Sequence, residues 1–152
     1  METCVQFSLF LVNKPGVLTQ VFAELGKAKV NVIALAMMDS MEHGVLRMVV
    51  DHPDRARLVF QRLNYQGAEA EVLAVGLPNK PGAAADLCEK LAAKKITIGY
   101  MYCSSAARGG KTTVYIKVPD VKKAVKVLDA PAKGTRRDMK VKLRRPAVRS
   151  RR

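Results

Sequence analysis

The chain has 152 residues, 49% of them apolar, with no tryptophan and a formal net charge of +14. That length gives one ordinary domain or two small ones with an aliphatic core, and no run approaches the roughly 20 apolar residues that span a bilayer. The start "METCVQFSLF" lacks the basic n-region of a signal peptide, and three cysteines without CxxC spacing suit a reducing, cytoplasmic setting.

Residues 5–12 alternate, with Val5, Phe7, Leu9 and Leu11 set against Gln6 and Ser8, which predicts a strand. Asn13-Lys14-Pro15-Gly16 follows. Pro15 suits the first helical position and Lys14 an extended N-cap. Val17, Leu18, Val21, Phe22 and Leu25 recur at helical spacing, predicting a helix over 15–28. Strands are predicted at 31–40 and 45–51 around a "SMEHG" turn, with Gly44 supplying a positive φ there. A helix starts near Pro53-Asp54 and buries Ala56, Val59, Phe60 and Leu63, and a strand begins near Ala68. The order is βαββαβ.

A shift of 66 residues then lays Asn79-Lys80-Pro81-Gly82 on the first Asn-Lys-Pro-Gly. The same gapless register puts Leu91 on Leu25, Lys95 on Lys29, Gly110 on Gly44 and Pro119-Asp120 on Pro53-Asp54. The unit is therefore duplicated. Its second copy predicts a strand at 70–77, a helix at 81–94, strands at 96–104 and 111–118, and a helix at 120–128. Between Gln66 and Asn79 there is room for one long strand only, so it must end the first copy and begin the second. The expected divisions are 1–70, 71–143 with a last strand at 139–143, and a basic tail over 144–152.

A strand, sharp turn and helix start leave backbone N–H groups without intrahelical partners at the positive end of the helix dipole. A carboxylate bound there gains about 0.3–1 kcal/mol from the dipole. Gly16 and Gly82 permit close approach, and Asn13 and Asn79 offer both donor and acceptor.

With duplication and βαββαβ order established, "NKPGVL" (13–18) with "VNVIAL" (30–35), and "NKPGAA" (79–84) with "ITIGYMY" (96–102), resemble the ACT domain family of amino-acid-binding regulatory modules. The arrangement over residues 4–128 is similar to stand-alone tandem ACT proteins without a catalytic domain. The resemblance implies an α+β, ferredoxin-like fold with sheet order 4-1-3-2 and the helices on one face. It also implies side-by-side pairing of units into extended antiparallel sheets and a homodimer. In the serine-regulated phosphoglycerate dehydrogenases of that family, the Asn before Arg-Pro-Gly and the Asn opening strand two contact the effector. These fall on Asn13 and Asn79, and on Asn31 and Thr97. Where those enzymes use a His, this chain has Leu11 and Leu77.

The expected ligand site thus comprises Asn13, Lys14, Pro15, Gly16, Val17, Leu18 and Asn31 in the first copy, and Asn79, Lys80, Pro81, Gly82, Ala83 and Thr97 in the second. Tyr100 and Tyr102 are candidates to line it from a neighbouring strand. The first copy is favoured because it keeps both Asn residues. The ligand carboxylate would lie on the amides of residues 15–18, and its amine on Asn13 and Asn31 or on a neighbour's backbone carbonyls. No nucleophile motif, phosphate loop or metal spacing occurs, so neither an enzyme nor a cofactor is expected. Met37, Met38 and Met41 read as filling, His43 and His52 as surface residues, and Cys88 as helix packing.

Two other readings stand beside the free-amino-acid sensor. Residues 129–152 hold ten Lys/Arg and two Asp, or +8 of the total charge, which suits a nucleic-acid or ribosome partner, although no aromatics interleave for base stacking. A detached regulatory subunit of an amino-acid biosynthetic enzyme fits the same fold.

Overall fold

The computed structural model describes residues 1–38, 43–104 and 111–129. In chain order these form β1 (Glu2–Val12), α1 (Val17–Lys27), β2 (Val32–Met38), β3 (His43–Val50), α2 (Pro53–Arg62), β4 (Gly67–Pro78), α3 (Ala83–Ala92), β5 (Tyr100–Ser104), β6 (Lys111–Lys117) and α4 (Val121–Asp129). The strands make one antiparallel sheet in the order β2-β3-β1-β4-β6-β5. Read from β4 to β2, the first copy has the 4-1-3-2 order of a ferredoxin-like unit.

The single strand between Gln66 and Asn79 is β4, and it belongs to both copies. Shifted by 66 residues, β1 falls on β4. The two pair with Glu2 opposite Ala74 and Leu9 opposite Gly67. In that register Val5 lies opposite Glu71, its own repeat equivalent. An approximate two-fold axis therefore passes through this pair. Each first strand occupies the fourth-strand position of the other copy. The strand expected over 139–143 lies outside the described residues, as does the tail. The flank of β4 away from β6 carries β1 from Gly67 to Ala74.

Strand alternation assigns the two faces of the sheet. Phe7, Leu9, Leu11, Leu46 and Met48 form one core with Val21 and Leu25 of α1 and with Ala56, Val59 and Phe60 of α2. The Phe7 and Phe60 rings meet edge to face, their centroids 5.2 Å apart. Leu73, Val75, Val114 and Ile116 form a second core with Leu87 and Leu91 of α3 and with Ala124 of α4. All four helices thus cover one face. The other face is buried as well: Ala34, Val49, Val72, Ala74 and Tyr115 make a third cluster there. Curling of the sheet accounts for this, since Cα atoms of the edge strands β2 and β5 come within 8 Å of each other although the two are not hydrogen-bonded neighbours.

Helix ends repeat between copies. Lys29 and Lys95 both take the left-handed conformation at φ 55°. Val30 donates its N–H to Leu25 and Ile96 to Leu91, while Lys29 bonds Gly26 and Lys95 bonds Ala92. This is the Schellman closure, which satisfies carbonyls left free at a helix end. Asn64 closes α2 in the same way, with Tyr65 bonded to Phe60 and Asn64 to Gln61.

Gly44 departs from expectation. It lies in β3 and is not among the positive-φ residues. A Cβ at this position would meet the tip of the flexible Met37 side chain on β2, so a larger residue here makes Met37 move aside.

Candidate functional site

Both Asn-Lys-Pro-Gly loops have one geometry. Val17 N–H bonds Lys14 C=O and Ala83 N–H bonds Lys80 C=O, each at 3.4 Å. Gly16 (φ 89°, ψ −18°) and Gly82 (φ 89°, ψ −22°) hold the third position of the turn. These are type II turns, which favour Pro at the second position and need φ above zero at the third. Lys14 and Lys80 also bond back to Val12 and Pro78 at 2.9 Å. The helices therefore start after Gly16 and Gly82. Pro15 is a turn residue rather than the first helical one, and Gly16, not Lys14, is the N-cap. The first intrahelical bonds run from Gln20 to Gly16 and from Asp86 to Gly82, both 2.9 Å. By position, Leu18 and Thr19, like Ala84 and Ala85, present amides at the positive helix end.

A cavity of about 350 Å³ reaches the second loop at Lys80 and runs between β4, α3 and α4. Val75, Leu77, Leu87 and Leu128 give it apolar walls, Lys80 and Ala83 reach it from the turn and first helical residue, and Asp86 and Lys90 bring charges of both signs. The first copy is built differently here. Gln20, the equivalent of Asp86, accepts a hydrogen bond from the Tyr65 hydroxyl at 3.2 Å, and Tyr65 packs against the first core. In the first copy this side of α1 is thus tied to the connection from α2 into β4.

The remaining predicted residues are separated. Val12, just before Asn13, lies opposite His43, whereas Val32, just after Asn31, lies opposite Val50. Seven steps along β3 divide these levels, about 23 Å at ~3.3 Å per residue. Asn31 is tied to Asp51 by two bonds, N–H to Oδ1 at 2.9 Å and C=O from N–H at 3.1 Å. Because β1 and β4 are antiparallel, the Asn13 and Asn79 loops leave opposite ends of the sheet. Thr97 is exposed and precedes β5. Within one chain, then, no ligand touches both Asn13 and Asn31.

Tyr100 and Tyr102 turn to the concave face. Gln6, wholly buried, donates to the Tyr100 oxygen at 2.7 Å and to Ser8 Oγ at 3.1 Å, and accepts from the Tyr102 hydroxyl at 2.9 Å. Burial, chiefly, pushes the Tyr102 phenol well above its ordinary range, which keeps it a donor. Its ring stacks on Tyr115 at 5.5 Å. The alternation in β1 marks Gln6 and Ser8 only as its less apolar face and does not point to this cluster. The signal was in β4 and β3, where Val72, Ala74 and Val49 are apolar on that same face.

Among the described residues, no group of His, Cys, Asp or Glu side chains is placed to hold a metal, and no helix is long and apolar enough to cross a membrane. A family model described as an ACT domain pair matches residues 2–130. This chain belongs to that family. No protein of curated function matches it by sequence. The pair resembles the crystal structure of protein BT0572 from Bacteroides thetaiotaomicron, with 32% identity, a TM-score of 0.78, and coverage of 83% of this chain and 86% of that one. It also resembles, in fold, the ligand-free regulatory subunit of aspartate kinase from Thermus thermophilus (14% identity, TM-score 0.63, 84% and 95% covered). The regulatory subunit from Thermus flavus is a third such structure (14%, TM-score 0.56, 76% and 83%). The ACT pair is a regulatory fold.

Proposed function

We propose that this ACT pair is a non-catalytic regulatory protein that binds a small amino-acid-like effector at the second loop. The observation that carries this is the cavity of about 350 Å³ that Lys80 of the second loop and Ala83 of α3 line. Its size suits a small ligand. The effector carboxylate lies toward the amides that open α3 and toward Lys80 or Lys90. Its amine lies toward Asp86, and its side chain among Val75, Leu77, Leu87 and Leu128. A second chain completes the assembly: with Asn13 and Asn31 at opposite ends of one sheet, only a neighbour brings the two together. Occupancy shifts assembly, or the activity of a separate enzyme chain, through differential affinity. Neighbours described as regulatory subunits of aspartate kinase support such an enzyme partner.

The test is a thermal-shift screen of the twenty amino acids on the whole protein. A ligand at ~100 times its Kd adds about 2.7 kcal/mol, or several degrees in midpoint. No shift at millimolar concentration would count against the effector reading. Asn79→Ala and Ala83→Leu, the latter filling the cavity, are expected to weaken binding. If Asn13→Ala weakens it instead, the site belongs to the first loop.

A further inference from the structure

The concave face of the sheet gathers hydrogen-bond donors that neither loop uses. Along β1 the residues turned to this face are Gln6, Ser8, Phe10 and Val12, and the ladder sets Arg47 opposite Ser8 and Val45 opposite Phe10. On the β2 side, Ala36 lies opposite Arg47 and Met38 opposite Val45. Ser8 and Tyr100 accept from Gln6, so each hydroxyl keeps its own proton for another partner. The Arg47 guanidinium lies over the Tyr100 ring, 4.0 Å from its centroid. Its Nε is buried and has no hydrogen-bond partner among the described residues, while its Nη1 rests on the Met38 sulfur, a weak acceptor. A buried donor left unpaired costs about 1–3 kcal/mol, and native structures hold few of them.

The surroundings describe the acceptor that is wanted. Three donors converge here: Arg47 Nε–H, the Tyr100 hydroxyl and the Ser8 hydroxyl. The carboxylate that β1 turns to this face is Glu2, six residues from Ser8. Next along the ladder come three exposed apolar side chains, Phe10 (53%), Val12 (43%) and Met38 (48%). The copies are unequal at this point, since Tyr100 and Tyr102 are the repeat equivalents of Ala34 and Ala36. The β5 edge of the curl carries tyrosines where the β2 edge carries alanines.

We propose that the concave face binds a small carboxylate with an apolar body. The carboxylate sits on the Nε–Nη2 edge of Arg47 and accepts from Tyr100 and Ser8, and the apolar body lies against Phe10 and Val12. The planar guanidinium fork matches a carboxylate bidentately, one cation to one negative charge. Met38, flexible and unbranched, gives way to admit it. Arg47 and Ser8 come from the first copy and Tyr100 from the second, so the site exists only in the paired chain.

The full chain is titrated calorimetrically with phenylacetate, with uncharged phenylacetamide as control. One phenylacetate per chain is expected, with no binding of the amide. Arg47→Lys, which keeps the charge and loses the fork, is expected to weaken binding about tenfold. Should that variant fail to fold, Ser8→Ala gives a smaller loss, and Met38→Ala is expected to tighten binding. The proposal is overturned by equal binding of the amide, by unchanged affinity in both Arg47→Lys and Ser8→Ala, or by no binding up to ~10 mM in both the parent and Met38→Ala. Ala83→Leu, which fills the loop cavity, leaves phenylacetate binding unchanged. Its loss there would assign the ligand to the loop instead and also overturn the proposal.

Discussion

Gly16 and Gly82 each stand at φ 89° with nothing within 4 Å of where a Cβ would lie. Space is therefore not what demands glycine; the left-handed backbone is. Gly82→Ala is expected to lower stability by about 1–2 kcal/mol, read as a drop in unfolding midpoint. Gly26→Ala, in α1 with open space and no positive φ, is expected to raise it by about 0.5–1 kcal/mol. Cys4 makes a second residue-scale case. Burial, with Glu2 adding to it, pushes its thiol from 9.0 to about 11. A raised thiol value favours the neutral form in the folded state, so its contribution is whole below pH 9 and is lost as pH rises through about 11. Alkaline unfolding should be measurably shallower across that window in Cys4→Ala. In a thiol-labelling time course at neutral pH, exposed Cys103 should react ahead of Cys4.

At the scale of elements, β1 shows both the reach and the limit of sequence patterning. Its alternation gave the helix-facing side correctly, because Phe7, Leu9 and Leu11 do meet α1 and α2. The polar side was misleading. Gln6 lies under β5, a strand 94 residues on, and local periodicity carries no information about so distant a lid. The loops were legible as turns followed by helices, and the exchange of N-cap from Lys14 to Gly16 is a matter of two residues. The cavity was not legible. It depends on how β4, α3 and α4 bring Val75, Leu77, Leu87 and Leu128 around one space. Gln6→Leu tests the tie between β1 and β5. It leaves the Tyr102 hydroxyl without its acceptor, so a loss of about 1–3 kcal/mol is expected, with faster amide exchange in β5.

For the molecule as a whole, the two copies share a plan but not a surface. Gln20 is bonded to Tyr65 in the first copy, whereas Asp86, its repeat equivalent, lines the cavity in the second. A calorimetric titration with whichever amino acid shifts the midpoint is accordingly expected to give one effector per chain. A value of two would mean that the copies are functionally equivalent. Length, spacing and the fixed 66-residue offset made the duplication readable. The way in which the copies diverged was not, because it rests on side chains that meet only after the sheet has curled.

The pairing of β1 with β4 has one more outcome. Two separate single-repeat chains would have to find each other, and their union would weaken on dilution. Joined in one chain, the same surfaces meet at an effective concentration in the millimolar range. The paired state therefore persists however scarce the protein is in its compartment. Dilution thus leaves the pairing of the two copies intact even where it dissolves contacts with a second chain, and each half is free to drift from the other without losing its mate.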